Sequence, residues 1–520
     1  MSVVVAVPEL RLVRSDDYSA TVPGVWRLQR CSYYIGRSAI VGGLALPEGL
    51  DVAALCARNA TVEGQEFLIN SDGRVVVEVN AFFASRRMRN RSASTREKYA
   101  RGLCVWLGYL DAVGGCWRGV GPEDVDAFKF WRMTDEANPL RVAGSSVSDN
   151  IQAINAFYEW AQERLDVRNP VDRRLASWPR QGPLGRAEPF VATPHVVRDR
   201  DVKWLDQGGY ACWRDLGLRG LDRSGRELRG WRGRNSQRDC AFTDGLYGTG
   251  LRLSEWATLL TVELPADDES RGYYTCRLAS SCGKGGRGRR YWMPRSVLVD
   301  VLSYVESGRA AAVGRARAKG LYDQVSDPLL LVGQDCGRRV RLRAGDGAVS
   351  DVALDTLNAR TRARIFRQTR TGLEPVSLWL NETGLPRLAA GWEHTFTQAN
   401  ERLARAGLGS VSATAHMLRH SFALRWFSVG RLIYEQRFAH LSSEELRDFR
   451  AQFGDTWYLV KTLLGHADIA VTMDVYLEPF RDLDVSLLIE HAHGAGMSAL
   501  MAEMFSRHPQ VITRPAGVGA

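Results

Sequence analysis

The chain has 520 residues and a mass of 57.9 kDa, with 45% hydrophobic and 25% charged residues, the balance of a globular protein of several domains and not of a disordered or fibrous one. Lys and Arg number 69 against 59 Asp and Glu, leaving +10 with His neutral and a pI near 9.2, so an extended anionic partner is the first functional expectation. No run of about 18 apolar residues exists to span a membrane. Met1 to Leu10 lacks the basic start and cleavage site of a signal peptide, and nine cysteines without a C-x-x-C pair argue against a disulfide framework or a Cys-based zinc site; reduced thiols and a cytoplasmic location are expected.

Residues 1–74 mix short apolar runs such as Val3 to Val7 with turn residues and carry no sign of a task, as an accessory arm or small domain would. Residues 75–170 turn helical. Ser94 and Glu97 have capping-box spacing, and Tyr99, Leu103, Trp106, Leu107 and Leu110 follow on one face. Pro122 sits at a first helical position before Val125 and Phe128. Val147, Ile151, Ile154, Tyr158 and Ala161 then repeat at helical spacing until Asn169-Pro170. Arg86, Arg87, Arg89, Arg91, Arg96, Lys98 and Arg101 crowd the entry to this segment, where they either track a phosphate backbone or form a solvated helix face.

Residues 171–194 read as a linker, with Gln181-Gly182-Pro183-Leu184-Gly185 at its centre, and a second domain starts near His195. Tyr273 to Leu278 and Arg289 to Met293 are β-prone runs around a Ser/Gly-rich turn, the pattern of a hairpin with a long flexible tip. Helices are expected from Pro294 to Glu306, Trp392 to Ala406, Ala415 to Val429, Asp455 to Leu464 and Val485 to Phe505. The expected fold is therefore mainly α with a small β-sheet: an α+β domain over residues 195–485, preceded by an all-α helical domain and followed by a C-terminal helix and tail over 486–520.

Arg252, Lys284, His416, Arg419, His466 and Tyr476 gain meaning when taken together. Arg252 lies in Gly248-Thr-Gly-Leu-Arg-Leu-Ser-Glu255, where glycines precede a helix start and free N–H groups favour a phosphate. His416 and Arg419, three residues apart, reach one patch of a helix surface. An arginine fork suits a phosphodiester because it donates two hydrogen bonds to two oxygens and keeps its charge. Lys284 occupies the glycine-rich turn Cys282 to Gly288, which lacks the hydroxyl of a nucleotide-binding P-loop. His466 follows Leu464-Gly465, and Tyr476 comes ten residues later. A phenol, ordinarily titrating near pH 10, becomes a usable nucleophile when cations surround it.

The order Arg, Lys, His-x-x-Arg, Leu-Gly-His, Tyr resembles that of the tyrosine recombinase (phage integrase) family over roughly residues 75–485. The resemblance implies a helical core-binding domain at 75–170 and a catalytic domain at 195–485. It further implies that Arg252 and Arg419 clamp the scissile phosphate, Tyr476 attacks it, His466 hydrogen-bonds a non-bridging oxygen, Lys284 protonates the departing 5′ hydroxyl and His416 handles the tyrosine proton. The implied function is site-specific recombination or integration of a mobile element, with double-stranded DNA carrying attachment sites as partner. No cofactor is expected, because the phosphotyrosyl ester keeps the energy of the phosphodiester. The apolar stripe Met497, Leu500, Met501, Met504 and Phe505 either docks on a neighbouring protomer in a DNA-bound homotetramer, as the resemblance implies, or on its own core.

Two other readings use the same residues: a DNA-binding or architectural protein of this fold without chemistry, and a DNA-relaxing enzyme of type IB topoisomerase chemistry. Departures from the family pattern lie at the His466 to Tyr476 spacing, one residue longer than usual, with Tyr458 as the nearest rival nucleophile. An insertion from Leu321 to Pro375 carries Arg360, Arg362, Arg364, Arg367 and Arg370, either an added DNA-contacting element or a solvated insertion, and a further one spans Ser428 to Phe453.

Overall fold

The computed structural model describes residues 4–5, 26–31, 40–41, 44–45, 58, 61, 64–171, 203–325, 327–335, 338–438, 511–515 and 517–518, with backbone alone for 4–5, 40–41, 44–45 and 427–438. The expected linker around Pro183, the helices expected at Asp455 to Leu464 and Val485 to Phe505, and the apolar stripe from Met497 to Phe505 lie outside the described residues. The chain divides into two units, Met1–Arg200 and Asp201–Ala520. Among the described residues no helix is long and apolar enough to cross a membrane.

In the first unit, strands β1 (Val4–Val5), β2 (Arg27–Cys31) and β3 (Glu66–Ile69) form an antiparallel sheet in the order β1-β2-β3, with Leu28 opposite Leu68. Four longer helices follow, α1 (Val77–Ala84), α2 (Ala93–Ala112), α3 (Pro122–Met133) and α4 (Gly144–Leu165), with the single helical turn Arg86–Arg89 between the first two. The stripes read from the sequence are the faces that meet. Leu103, Trp106, Leu107 and Leu110 of α2 and Val147, Ile151, Ile154, Tyr158 and Ala161 of α4 are buried together in one core. Gly102 lets the two helices close, since a Cβ there would stand 3.0 Å from the Cβ of Ala153. Sequence reasoning left residues 1–74 without a task, yet Trp26, Leu28 and Leu68 belong to this same core. Asn80 of α1 fastens β3 by accepting from the Leu68 N–H at 2.7 Å and donating to its carbonyl at 2.9 Å.

Two helix ends differ from expectation. The cap of α2 is Ser92, whose Oγ accepts from the Thr95 N–H at 3.2 Å, so Ser94 falls inside the helix. Glu97 is then free for ion pairs with Arg30 at 2.8 Å and Arg101 at 2.6 Å instead of reaching back to a capping N–H. Helix α4 stops at Leu165, before Asn169-Pro170, because Asp166 adopts left-handed backbone with φ of 53°.

The second unit opens with β4 (Trp204–Leu205), α5 (Gln207–Arg214), which a π-helical turn prolongs to Arg219, α6 (Ser236–Thr249) and the single turn α7 (Leu253–Trp256). The expected hairpin is present as β5 (Tyr273–Leu278) and β6 (Arg289–Pro294), in register from Tyr273 opposite Pro294 to Leu278 opposite Arg289. Its tip is more ordered than a flexible loop. Two 3-10 turns fill it, and Ser280 and Ser281 donate to the carbonyls of Asp355 and Leu357 at 2.9 and 2.7 Å. Helix α8 (Arg295–Tyr304) runs through a π turn into α9 (Ala310–Ala318).

The insertion from Leu321 to Pro375 folds as most of a five-stranded sheet. Strands β7 (Leu329–Gln334), β8 (Arg339–Arg343), β9 (Val349–Ala353), β10 (Ile365–Thr369) and β11 (Gly372–Pro375) stand in the order β9-β8-β7-β10-β11, parallel only between β7 and β10. Val340, Leu342 and Ile365 pack with Leu260, Leu354 and Leu357, while Phe366 packs with Val313 and Ala316 of α9. Its arginines are in large part structural. Arg362 is buried and forks onto Glu263 at 2.5 and 3.1 Å, Arg364 pairs with Asp327, and Arg367 shares Glu374 with the buried Arg309. Helices α10 (Gly391–Arg405) and α11 (Ala415–Phe438) follow, and β12 (Val511–Ile512) returns beside β4 in parallel. Helix α11 extends past Val429 into the second expected insertion. The unit's core gathers Trp213, Phe242, Trp256, Trp379, Trp392 and Leu418.

Candidate active site

Helix α6 ends at Gly250, whose φ of +64° is a conformation that side chains with a Cβ seldom adopt. A Cβ there would also stand 2.3 Å from the Phe422 ring, so the glycine allows α11 to close on the junction of α6 and α7. Arg419, one turn before Phe422 on α11, is 2% exposed and donates through Nη1 to the carbonyl of Gly250. Two residues after that carbonyl comes Arg252. The structure thus brings Arg252 and Arg419 to one turn of backbone, although they stand 167 positions apart in sequence.

Arg252 is held by Glu255. Its backbone N–H donates to Oε2 at 2.9 Å and its Nη1 to Oε1 at 2.9 Å, while the side chain stays 26% exposed. Glu255 itself is 1% exposed and also accepts a guanidinium fork from Arg289, at 3.0 Å to Oε1 and 2.6 Å to Oε2. Burial alone would raise this carboxyl, but the Arg289 fork and the charge and N–H of Arg252 outweigh it and hold the group at about 2. Glu255 and Arg289 were not among the candidates from sequence. Glu255 stands three residues after Arg252 in the same octapeptide, a spacing that places both on one side of a helical turn, and that signal was available. Arg289 could not be paired with it before β6 was placed.

Lys284 is exposed at the hairpin tip, within the 3-10 turn Lys284–Gly286. Five residues on, Arg289 ties the hairpin to Glu255 and so to Arg252. His416 is exposed in the first turn of α11, its ring centroid 4.1 Å from that of the buried His420 and nearly perpendicular to it. Ser421 anchors the same helix to β4, accepting from the Leu205 N–H and donating to the Met417 carbonyl, both at 2.8 Å. His466, Tyr476 and the rival Tyr458 lie outside the described residues.

In the first unit the basic cluster divides. Arg87 pairs with Glu159, Arg96 with Glu66 at 3.1 Å, Lys98 with Asp149 at 2.5 Å and Arg101 with Glu97 at 2.6 Å. Arg86, Arg89 and Arg91 are exposed and make no ion pair among the described residues.

No protein-family profile matches the chain. Among curated proteins, the tyrosine recombinase XerD of Chlorobaculum tepidum is 28% identical over 181 residues, which cover 35% of this chain and 49% of that protein, so the match spans about half the length of the relative. Among solved structures, the XerH site-specific recombinase in a post-cleavage complex with its palindromic difH substrate has 14% identity and a TM-score of 0.40, covering 81% of this chain and 85% of that one. The Tn1549 transposon integrase in complex with circular intermediate DNA has 16% identity and a TM-score of 0.40, covering 82% and 98%. The motif order in the sequence and the curated relative point the same way, to a resemblance to the tyrosine recombinases.

Proposed function

We propose that this chain is a site-specific DNA recombinase that cuts and rejoins duplex DNA through a 3′-phosphotyrosyl intermediate. The observation that supports it most is the convergence of Arg252 and Arg419 on the Gly250 turn, with Glu255 orienting the first of them. In the proposed step the Tyr476 oxygen attacks phosphorus and a bond forms between them. The bond from phosphorus to the 5′ oxygen breaks. The phenol proton passes to His416, and the leaving oxygen takes a proton from Lys284. In this reading Arg252, Arg419 and His466 neutralise the charge that gathers on the non-bridging oxygens, a role in which preorganised donors cost no reorganisation. Reversal by a 5′ hydroxyl of a partner strand restores a phosphodiester of equal energy, so neither nucleotide nor metal is drawn into the balance.

Residues 75–170 serve as the core-binding domain in this reading, with Arg86, Arg89 and Arg91 facing the phosphate backbone. Residues 486–520 provide the contact that builds a tetramer on paired sites. The reaction is tested with a library of randomised nicked duplexes in excess chelator. Nicking lets the short cleaved strand diffuse away and traps the ester. Protein–DNA adducts that resist denaturant, enriched for one sequence and formed equally with and without chelator, are expected. An adduct that requires added divalent metal would contradict the proposed chemistry.

A further inference from the structure

Between α5 and α6, residues 219–234 hold six arginines, Arg219, Arg223, Arg226, Arg229, Arg232 and Arg234, against two carboxylates, Asp222 and Glu227. None of them has a part in the chemistry above. The loop is nevertheless well built. Asp222 Oδ1 accepts from the N–H groups of Ser224 and Arg226 at 2.8 and 3.0 Å, closing its outer turn. Trp231 lies on Gly220, where φ is +82° and a Cβ would stand 2.1 Å from the ring, and its Nε1 donates to Ser236 Oγ at 3.1 Å. Beneath it Arg402 of α10 stacks its guanidinium 4.8 Å from the Trp231 ring centroid and donates to the Gly217 carbonyl at 2.6 Å.

Three of the six arginines are engaged within the unit: Arg219 with Asp215 at 3.4 Å, Arg223 with the Ala406 carbonyl, and Arg234 with Glu382 at 3.0 Å. Arg226, Arg229 and Arg232 are exposed and make no ion pair or side-chain hydrogen bond among the described residues. Asp222 offsets part of the Arg226 charge, yet the loop's six arginines outnumber its two carboxylates, and an anionic partner relieves the repulsion that remains. Beside them is a cavity of about 310 Å³, lined by Trp231, Arg232, Arg234 and Arg402 together with the carboxylates Asp239 and Glu382. Helix α6 separates this loop from the candidate site. Its 14 residues, at about 1.5 Å each, put about 21 Å between the Ser236 end and Gly250.

We infer that loop 219–234 is a second phosphate-binding surface, which grips the backbone of duplex DNA away from the scissile phosphate. The inference rests on the reading that this chain acts on DNA. The cations are all arginine, whose planar forks match pairs of phosphate oxygens. A duplex offers one negative charge per about 1.7 Å of axis, so neighbouring loop positions find separate phosphates. An acidic protein surface fits less well, because Leu228, 45% exposed, is the loop's only exposed large apolar side chain and an apolar centre for a protein interface is lacking among the described residues.

The test measures the affinity of the full chain for a duplex of selected sequence against salt concentration, for the natural protein, for Arg226→Ala/Arg229→Ala/Arg232→Ala and for the corresponding triple lysine variant. Each lost phosphate contact removes about one unit of the slope of log affinity on log salt, so the alanine variant is expected to lose about three units and at least roughly tenfold in affinity at 0.1 M salt. The lysine variant keeps the slope. A natural slope in the alanine variant overturns the inference while leaving the recombinase reading intact. Absence of DNA binding by the natural protein overturns both, and equal loss in the alanine and lysine variants marks a structural role for the loop and overturns the inference alone.

Discussion

Arg419→Ala is expected to slow covalent attachment to a nicked duplex by roughly 10² to 10³, the loss that follows removal of one preorganised donor from a developing oxyanion. The same change removes the donor to the Gly250 carbonyl, so about 1–3 kcal/mol of stability should go with it. The two effects separate by measurement. Thermal unfolding reports the second, and the single-turnover rate at saturating DNA, taken well below the melting temperature, reports the first. Arg419→Lys restores charge but not the fork and should recover little of the rate. A rate within threefold of the natural protein for the alanine variant would remove Arg419 from the phosphate clamp.

The second large effect concerns Glu255. Glu255→Ala leaves the Arg289 guanidinium, 13% exposed, without the carboxylate it forks onto and Arg252 without the acceptor of its Nη1 and backbone N–H, and breaking a buried pair in this way costs on the order of 3–5 kcal/mol. Its pH dependence has a definite sign. The folded carboxyl sits at about 2 against an ordinary 4.5, so its stabilisation is complete above pH 4.5 and is lost as pH falls toward 2. Over that window the natural protein should lose on the order of 3 kcal/mol that Glu255→Gln, having no charge to lose, does not. Melting temperatures measured from pH 6 to pH 2 check this. A difference between the two proteins that stays constant with pH would mean that the carboxylate charge does not hold the arginines.

Much of the helical framework was legible because periodic apolar positions have one good burial solution. Leu103, Trp106 and Leu107 could only face something like Ile151 and Ile154 once both segments were helices. Caps were less legible. Ser92 and Ser94 both offer a hydroxyl, and the choice depends on where the chain enters the helix after the Arg86–Arg89 turn. The sheet of the insertion was visible in part, since Arg339-Val-Arg-Leu-Arg343 alternates outward arginines with buried Val340 and Leu342. Reading its arginines as a charge cluster hid that alternation, and the partners that make Arg362 and Arg367 structural, Glu263 and Glu374, are apparent only when distant strands are paired. The sequence offered Arg252 and Arg419 as a pair, but what brings them to one turn of backbone was not legible. Gly250, Phe422, Glu255 and Arg289 act through a helix crossing and a hairpin register that no local pattern encodes.

The central claim is that a phenol oxygen in a field of guanidiniums becomes the link to DNA, and the direct measurement is the identity of the linked residue. Adducts from the nicked-duplex reaction are digested and the nucleotide-bearing peptide is sequenced by mass spectrometry, for the natural chain and for Tyr476→Phe. The account predicts a phosphodiester on Tyr476 in the first and no adduct in the second. Attachment at Tyr458 or at any other residue, or an adduct that survives in Tyr476→Phe, would contradict it.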